Sequence, residues 1–454
     1  MILKNQILLF LLLLSANNLF CQYIIVNDIY IQGNKKTKPF IIERELPFKR
    51  GDTLWLPYIK KTFENAQNNL LKTSLFNFAN VDTCHTQNEK ADILIQVTER
   101  WYLWPIPVFE QASQNVNTWL YEKDYNKINY GFFIAQANFR GRDELIRAIV
   151  RFGFREQFGF AYTVPHLFQS PYWGAEIKAL YYRQKQVAYS TENNKPQYVF
   201  GNQYLYTNSD YSITLSYRPK LHTWHQVQLS YSSYTIHDSL YKLNNNFIYH
   251  NLKHLEYPSI DYSFLFDKTN SVSYPLQGFL INPEVSIEGL GFNNINISTI
   301  NLKTALFYKI FSRIFNAHGL SLSYKAIPHK SYLFSKAFGY NTYPRGYELY
   351  LIDGKGYILS SNSIRFQLVK PHITNIYKLK NERFAKFHYA FYLSLNGDAG
   401  YVINDYNEPL TNKWLYGYGI GIDFVTYYDI AFRTEFSFNN LKQKGIFFHL
   451  STFI

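Results

Sequence analysis

The carboxyl-terminal part of this chain alternates apolar and polar side chains with a period of two. One side of the first strand would be apolar or aromatic and the other small or acidic: Tyr416, Tyr418, Ile420, Ile422 and Phe424 against Gly417, Gly419, Gly421 and Asp423. The next strand repeats the pattern: Ile430, Phe432, Thr434, Phe436 and Phe438 against Ala431, Arg433, Glu435 and Ser437. Successive strand residues face opposite sides of a sheet. This pattern predicts a lipid-facing barrel wall, with a soluble β-sandwich as the alternative.

The composition favours strands over membrane helices. Aromatic residues make up 19% of the chain, with 41 Tyr and 38 Phe. Such residues suit strands and the aromatic girdles of membrane barrels. The mean hydropathy of -0.25 excludes a helical membrane protein, and no uncharged apolar run of about 18 residues follows the amino terminus.

The amino-terminal residues 1–22 are predicted to be a secretory signal peptide. Lys4 provides the positive region, and the apolar segment after it is too short to span a bilayer. Cleavage is expected at or near Cys21, although acylation of Cys21 is the alternative that bulky Phe20 disfavours. Cys84 would then be the only cysteine of the mature chain, so no intrachain disulfide is expected.

The formal net charge of +13 suggests anionic partners. Nucleic acid is not expected, because an exported chain rarely meets it and the basic residues are scattered rather than clustered. We expect these charges inside the barrel, at its rims or against anionic lipid, including lipopolysaccharide.

Residues 23–102 are predicted to form a small β-α-α-β-β module. Strand patterns cover Tyr23–Ile31, Phe76–Thr83 and Asp92–Arg100, and helical spacing covers Pro39–Glu45 and Leu56–Leu71. About 80 residues can bury a core of their own.

Turn residues in this module carry a family resemblance. The turns fall at Gly33-Asn34 and at Gly51-Asp52. With the surrounding segments 29–37, 41–46 and 91–100, they resemble a POTRA domain of the Omp85 family, which includes BamA and TamA-like proteins. One copy is present in the sequence.

The remainder is divided into a linker, residues 103–127, and a strand array, residues 128–454. The Trp104-Pro105-Ile106-Pro107 segment favours a linker at the membrane surface, because Pro resists strand pairing. The resemblance implies an antiparallel transmembrane barrel of about 16 strands, although the length also allows about 14.

Three barrel segments are similar to Omp85 motifs. Asp267, Pro275 and Gly278 are spaced like the family's mid-barrel hairpin motif. The segment Tyr343-Pro344-Arg345-Gly346-Tyr347 is similar to the Arg-Gly-aromatic motif of the sixth extracellular loop, with Pro344 in place of a β-branched residue. Asp398-Ala399-Gly400 is similar to the later Asp-x-Gly strand. Phe453 is penultimate, whereas many outer-membrane proteins end in an aromatic residue.

The resemblance implies a role for Arg345. In the family, the loop arginine folds into the lumen and meets an acidic side chain, for which Asp398 is the matching position. A guanidinium fork suits a carboxylate, and Gly346 would allow a tight turn before Tyr347. We therefore predict that Arg345, Gly346, Tyr347, Asp398 and Gly400 lock the loop inside the barrel. A solvated turn is the alternative.

The resemblance also implies a weak seam between the first and last strands, predicted at Ile128–Asn138 and Lys444–Ile454. An opened seam, or an edge strand of the POTRA-like module, would pair with client polypeptides by β-augmentation. A passive spacer is the alternative for the module.

No enzymatic activity is expected. The sequence lacks a Gly-x-Ser-x-Gly elbow, a His-Glu-x-x-His motif, a phosphate-binding loop and a paired-cysteine motif. No catalytic residue, metal ligand or cofactor is therefore predicted.

The resemblance implies an outer-membrane protein of a Gram-negative bacterium, with its POTRA-like module in the periplasm. It would insert or transport outer-membrane or exported polypeptides, with accessory lipoproteins as further partners. A transporter dedicated to one secreted partner and a passive pore are the alternatives.

Overall fold

The computed structural model describes residues 23–87, 89–111, 128–249, 251–375, 386–406, 408–426 and 430–450. The predicted signal peptide and Phe453 lie outside these residues. Within the described ranges, no helix is both long and apolar enough to cross a membrane. The chain divides into two compact units, and the first one ends at Glu99.

The first unit has the predicted β-α-α-β-β order with one additional short strand. The elements are β1 (Tyr23–Gln32), α1 (Pro39–Arg44), β2 (Thr53–Trp55), α2 (Leu56–Lys72), β3 (Phe76–Gln87) and β4 (Lys90–Glu99). The sheet has the order β2-β1-β4-β3, in which only β1 and β4 are parallel.

Helix α2 covers one face of this sheet. Phe63, Ala66 and Leu70 recur at helical spacing and are buried, as are Ile93 and Ile95 of β4. Burial of these apolar side chains is the main stabilising contribution in a unit of this size.

The predicted turn residues lie at the ends of β1 and before β2. Gly33 and Asn34 directly follow β1. The N–H of Gly51 donates to the carbonyl of Val26 over 2.8 Å, and the carbonyl of Asp52 accepts from the N–H of Val26 over 2.9 Å. The second turn therefore continues the pairing with β1.

The second unit contains a 16-stranded antiparallel sheet, which confirms the predicted fold class. Strands that are adjacent in this sheet also follow one another along the chain. The strands are β5 (Leu103–Gln111), β6 (Ile128–Phe139), β7 (Glu144–Gly153), β8 (Arg155–Val164), β9 (Trp173–Gln184), β12 (Tyr206–Lys220), β13 (Thr223–Ile236), β14 (His254–Asp267), β15 (Gly278–Glu288), β16 (Ile297–Phe311), β17 (Ile314–Ala326), β20 (Gly356–Asn375), β21 (Lys386–Ile403), β22 (Trp414–Thr426), β23 (Ile430–Asn439) and β24 (Lys444–Leu450).

The linker prediction for residues 103–127 is wrong over Leu103–Gln111, which is the first strand of the sheet. It pairs with β6 from Leu103 opposite Gln136 to Gln111 opposite Ile128. Pro105 and Pro107 are two residues apart, so their missing N–H groups lie on the same side of the strand. A strand at the end of the sheet order tolerates this. The predicted first seam strand, Ile128–Asn138, is consequently the second strand.

The alternation at the carboxyl-terminal end is confirmed by burial. Tyr418, Ile422 and Phe432 are 58%, 53% and 44% exposed, whereas Arg433 and Glu435 are 2% and 0% exposed. Apolar side chains therefore face outward and charged ones face the interior. This arrangement is typical of a barrel wall in lipid.

Connections at the end of the barrel opposite Leu103 pack together into what we call the cap. The cap comprises residues 185–205, 237–249, 251–253 and 327–355. These contain β10 (Gln186–Glu192), β11 (Lys195–Phe200), α3 (Asp238–Leu243), β18 (Lys336–Phe338) and β19 (Ile352–Asp353).

Backbone hydrogen bonds and an apolar cluster hold the cap together. The N–H of Leu351 donates to the carbonyl of Asn194, and the N–H of Leu333 donates to that of Phe247, each over 2.9 Å. The cluster includes Leu240 and Ile248, both fully buried. These loops therefore form one packed layer.

Candidate functional site

The connection between β17 and β20 brings Arg345 into the barrel interior. Its backbone N–H donates to Asp398 Oδ2 over 3.0 Å, and its Nη1 donates to Asp398 Oδ1. Its Nε donates to Glu435 Oε2 over 3.2 Å. All three side chains are less than one tenth exposed. The structure thus places Arg345 beside Asp398, and it adds Glu435, which the sequence reasoning did not assign to this site.

Two glycines allow the loop backbone to lie against the wall. Gly346 has a φ of +77°, which disfavours residues with a Cβ. A Cβ on Gly417 of β22 would lie 1.8 Å from the carbonyl oxygen of Arg345. The loop can therefore approach only where the wall has no side chain. The run of alternating glycines in β22 was the available sequence signal for this contact.

The other predicted residues of the loop motif also pack against the wall. The Tyr347 hydroxyl donates to Asn440 Oδ1, and its side chain is 1% exposed. The Gly346 carbonyl accepts a 2.6 Å hydrogen bond from Asn439 Nδ2. A Cβ on Gly400 would lie 2.7 Å from the Pro344 ring, so Pro344 fills the space beside Gly400.

The Glu435 carboxylate is hydrogen-bonded on both oxygens. Asn396 Nδ2 donates to Oε2 over 2.7 Å, and Ser437 Oγ donates to Oε1 over 2.6 Å. A fully buried carboxylate needs such partners, because desolvation is costly. Glu435 is therefore a central acceptor for Arg345.

A second cluster lies next to the first, around Asp423 of β22. Arg433 binds its carboxylate through two hydrogen bonds, Nε to Oδ1 over 2.6 Å and Nη2 to Oδ2 over 2.8 Å. The Tyr274 hydroxyl donates to Asp423 Oδ2 over 2.6 Å. The Arg365 guanidinium carbon is 4.3 Å from the centre of the Tyr274 ring. Tyr274 comes from the β14–β15 connection, at the end of the barrel opposite the cap.

The predicted hairpin residues shape that connection and do not contact Arg345. The Asp267 carboxylate accepts from the Thr269 N–H over 2.8 Å, and Gly278 begins β15 with a φ of +106°. The carbonyl of Pro275 accepts a 2.9 Å hydrogen bond from Arg365 Nη1. The hairpin motif therefore presents Tyr274 to the interior, a consequence that the sequence reasoning missed.

Arg433 joins the two clusters. Its Nη1 is 3.7 Å from Glu435 Oε2, while its other nitrogens bind Asp423. We call the joined clusters the interior network. Its charged members are three arginines and three carboxylates: Arg345, Arg365, Arg433, Asp398, Asp423 and Glu435. Opposite charges in equal number limit the cost of burying them.

The described residues show no group of three or more His, Cys, Asp or Glu side chains placed to hold a metal ion. Cys84 is a free and exposed thiol on β3.

Comparison with known proteins agrees with this architecture. Residues 24–100 match the POTRA family model, described as a surface antigen variable number repeat. No curated protein sequence matches the chain significantly.

Two solved structures share its fold. BamA from Haemophilus ducreyi lacking POTRA domains 1–3 is 15% identical, with a TM-score of 0.51 over 94% of this chain and 84% of that one. CdiB from Escherichia coli is 11% identical, with a TM-score of 0.58 over 94% of this chain and 76% of that one.

This protein is therefore a barrel protein with an amino-terminal accessory domain: a POTRA domain precedes 16 antiparallel strands. The POTRA match over residues 24–100 and the fold shared with BamA and CdiB support the predicted resemblance to the Omp85 family.

Proposed function

We propose that this protein is an outer-membrane factor that inserts polypeptides into that membrane or transports them through it. The observation that carries the proposal is a lipid-type barrel wall whose interior holds a buried loop, in a chain with a POTRA domain. The activity requires binding and strand pairing, not bond-breaking chemistry. The POTRA domain would lie in the periplasm.

The occupied interior supports this activity over that of a passive pore. A porin lumen is water-filled and open along its axis. Here the loop carrying Arg345 and the connection carrying Tyr274 enter from opposite ends and meet the wall within one network. Passage through such a barrel requires rearrangement of these segments.

The edge strand β3 of the POTRA domain is a candidate client-binding element. It is 12 residues long, pairs with β4, and forms one end of the sheet order within the described residues. An exposed strand edge can accept an extended peptide through backbone hydrogen bonds. This geometry favours unfolded polypeptides as clients.

The terminal strands β5 and β24 are a second candidate. They end the sheet order, and β24 is only seven residues long in the described part of the chain. The two prolines in β5 remove donors from one of its sides. Fewer available hydrogen bonds would make this seam easier to open for a client strand.

Depletion of the protein, followed by quantification of the outer-membrane proteome, tests the proposal. Broad loss of barrel proteins is expected for an assembly factor, and loss of one exported protein indicates a dedicated transporter. An unchanged proteome together with high conductance in planar bilayers would instead indicate a passive pore. Complementation with wild-type protein is the control.

A further inference from the structure

The cap and the adjoining barrel mouth enclose a cavity that the proposed function does not use. Its volume is about 440 Å³, within the range of about 300–1,000 Å³ that is usual for small-molecule sites. Its walls come from the start of β8, the end of β9, the β10–β11 hairpin and the segment around β18. Because several connections build it, the cavity depends on the folded cap.

Two cations line this cavity. Arg155 lies 5.6 Å from the centre of the Tyr182 ring, and Lys336 Nζ lies 4.7 Å from that of the Tyr340 ring. Lys336 lies opposite Asp353 in the pairing of β18 with β19, and the side-chain amide of Gln184 is a hydrogen-bond partner of the Arg155 guanidinium. Among the residues that line the cavity, no carboxylate binds either cation. Cations on aromatic faces, without a bound carboxylate, retain their capacity to bind an anion.

The residues that line the cavity include two cations and no carboxylate. The pKa of Lys336 is lowered to about 8, first by burial and then by repulsion from Arg155, while the attraction of Asp353 acts in the opposite direction. Lys336 is nevertheless exposed and is one of the residues that line the cavity. An anion placed there would stabilise both cations.

The rest of the lining suits a ring that carries many hydroxyl groups. The lining includes both aromatic side chains, which offer apolar faces, and amide groups, which offer hydrogen bonds. They include Tyr182, Tyr198, Tyr206, Gln184, Gln186 and Asn341. Such a lining fits a sugar better than a purely apolar ligand.

We propose that this cavity binds an anionic sugar, with its carboxylate or phosphate held by Arg155 and Lys336 and its ring against the tyrosines. Arg offers a planar fork and Lys a point charge, which together suit a phosphate or carboxylate oxygen set. The sugar is either a soluble molecule or the headgroup of an anionic glycolipid.

Calorimetric titration of the full chain in detergent with glucose 6-phosphate, glucuronate and glucose tests the site. We expect both anionic sugars to bind and glucose to bind about tenfold more weakly or not at all. The double variant Arg155→Gln with Lys336→Gln should lose about tenfold or more in affinity for the anionic sugars.

Lys330→Gln is the matched control, because Lys330 is an exposed lysine of the same connection and does not line the cavity. It should bind like the wild type, and heat-modifiable gel migration verifies that each variant is folded. Equal affinity of the double variant, or no binding of either anionic sugar by the wild type, would overturn the proposal. Competition by purified lipopolysaccharide supports a glycolipid headgroup as the source, and its failure supports a soluble sugar.

Discussion

Arg345 is the residue on which the interior loop depends most. Its guanidinium binds two carboxylates, Asp398 and Glu435, in a region that excludes most water. A buried ion pair gives little net stability against an apolar replacement, but loss of one partner leaves an uncompensated charge. The identity of this residue is therefore strongly constrained.

Arg345→Ala should lower the stability of the barrel by about 3–5 kcal/mol, because both carboxylates lose a buried partner. Thermal unfolding monitored by heat-modifiable gel migration measures this. Arg313→Ala, which removes an exposed arginine from the β16–β17 turn, is the control and should have little effect. Equal unfolding temperatures for wild type and Arg345→Ala would contradict the loop-lock role.

Gly417→Ala should displace the loop without changing any charge. The new Cβ would lie 1.8 Å from the Arg345 carbonyl oxygen, which is a severe overlap with backbone. Gly397→Ala in the neighbouring strand is the matched control, since nothing lies within 4 Å of its Cβ position. We expect proteolysis of the loop in Gly417→Ala only, and similar digestion of both variants would argue against the contact.

Anion binding in the cap cavity should weaken as the pH rises through about 8, because Lys336 loses its proton there. The titratable or charged groups that act on Lys336 or share its cavity are Arg155, Lys325, Asp353 and the tyrosines Tyr182, Tyr198, Tyr206, Tyr332 and Tyr340. Glucose 6-phosphate stays fully charged above a pH of about 7. A change in affinity on either side of about pH 8 therefore reflects protonation of the protein and not of the sugar. Lys336→Arg should remove the pH dependence, and its persistence there would exclude Lys336 as the cause.

At the scale of elements, the β14–β15 connection is more than a turn between two strands. Its conformation is set by Asp267 and Gly278, and it places Tyr274 against Asp423 and Arg365. A connection at the end of the barrel opposite the cap thereby contributes to the same network as the loop from the cap. The strands form the wall of the barrel, and the two connections occupy part of its interior.

Tyr274→Phe should destabilise this connection by about 1–3 kcal/mol, because the Asp423 carboxylate loses a buried donor. Chemical denaturation of the detergent-solubilised protein measures the difference. Tyr418→Phe is the control, because Tyr418 is 58% exposed on the outer face. Equal loss of stability in the two variants would indicate that the hydroxyl of Tyr274 is not a specific partner.

At the scale of the whole molecule, the interior network couples segments from both ends of the barrel. Arg433 contacts Asp423 on one side and Glu435 on the other. Displacement of the loop that carries Arg345 therefore changes the surroundings of Asp423, which is the partner of Tyr274. The network is balanced in charge, and a disturbance on one side therefore leaves an excess charge on the other. Opening of the lumen should require rearrangement of both segments.

Single-channel recordings in planar bilayers test whether the segments inside the barrel block it. The wild type should show low and infrequent conductance, since its interior is occupied. Gly417→Ala should open more often, whereas Gly397→Ala should behave like the wild type. A large and constant conductance of the wild type would contradict an occupied lumen and favour a passive pore.

Much of the wall was predictable from residues near one another in the sequence. The alternation in β22 and β23 specified which side chains face lipid, and the order of the POTRA elements followed from local patterns. The pairing of Arg345 with Asp398 was predicted through the family resemblance. The first strand was missed because Pro105 and Pro107 disfavour pairing in general, although the end of a sheet accepts them.

By itself the sequence determined a chain of alternating strands behind a small α/β module, because side-chain periodicity is a local property. Only the tertiary structure decided that Glu435 would bind Arg345, and that Tyr274 would meet Asp423 across the barrel. These partners are 90 and 149 residues apart in the chain. Curvature of the sheet brings these partners together. Local sequence patterns do not specify this curvature, so they do not predict which distant charges will lie in contact.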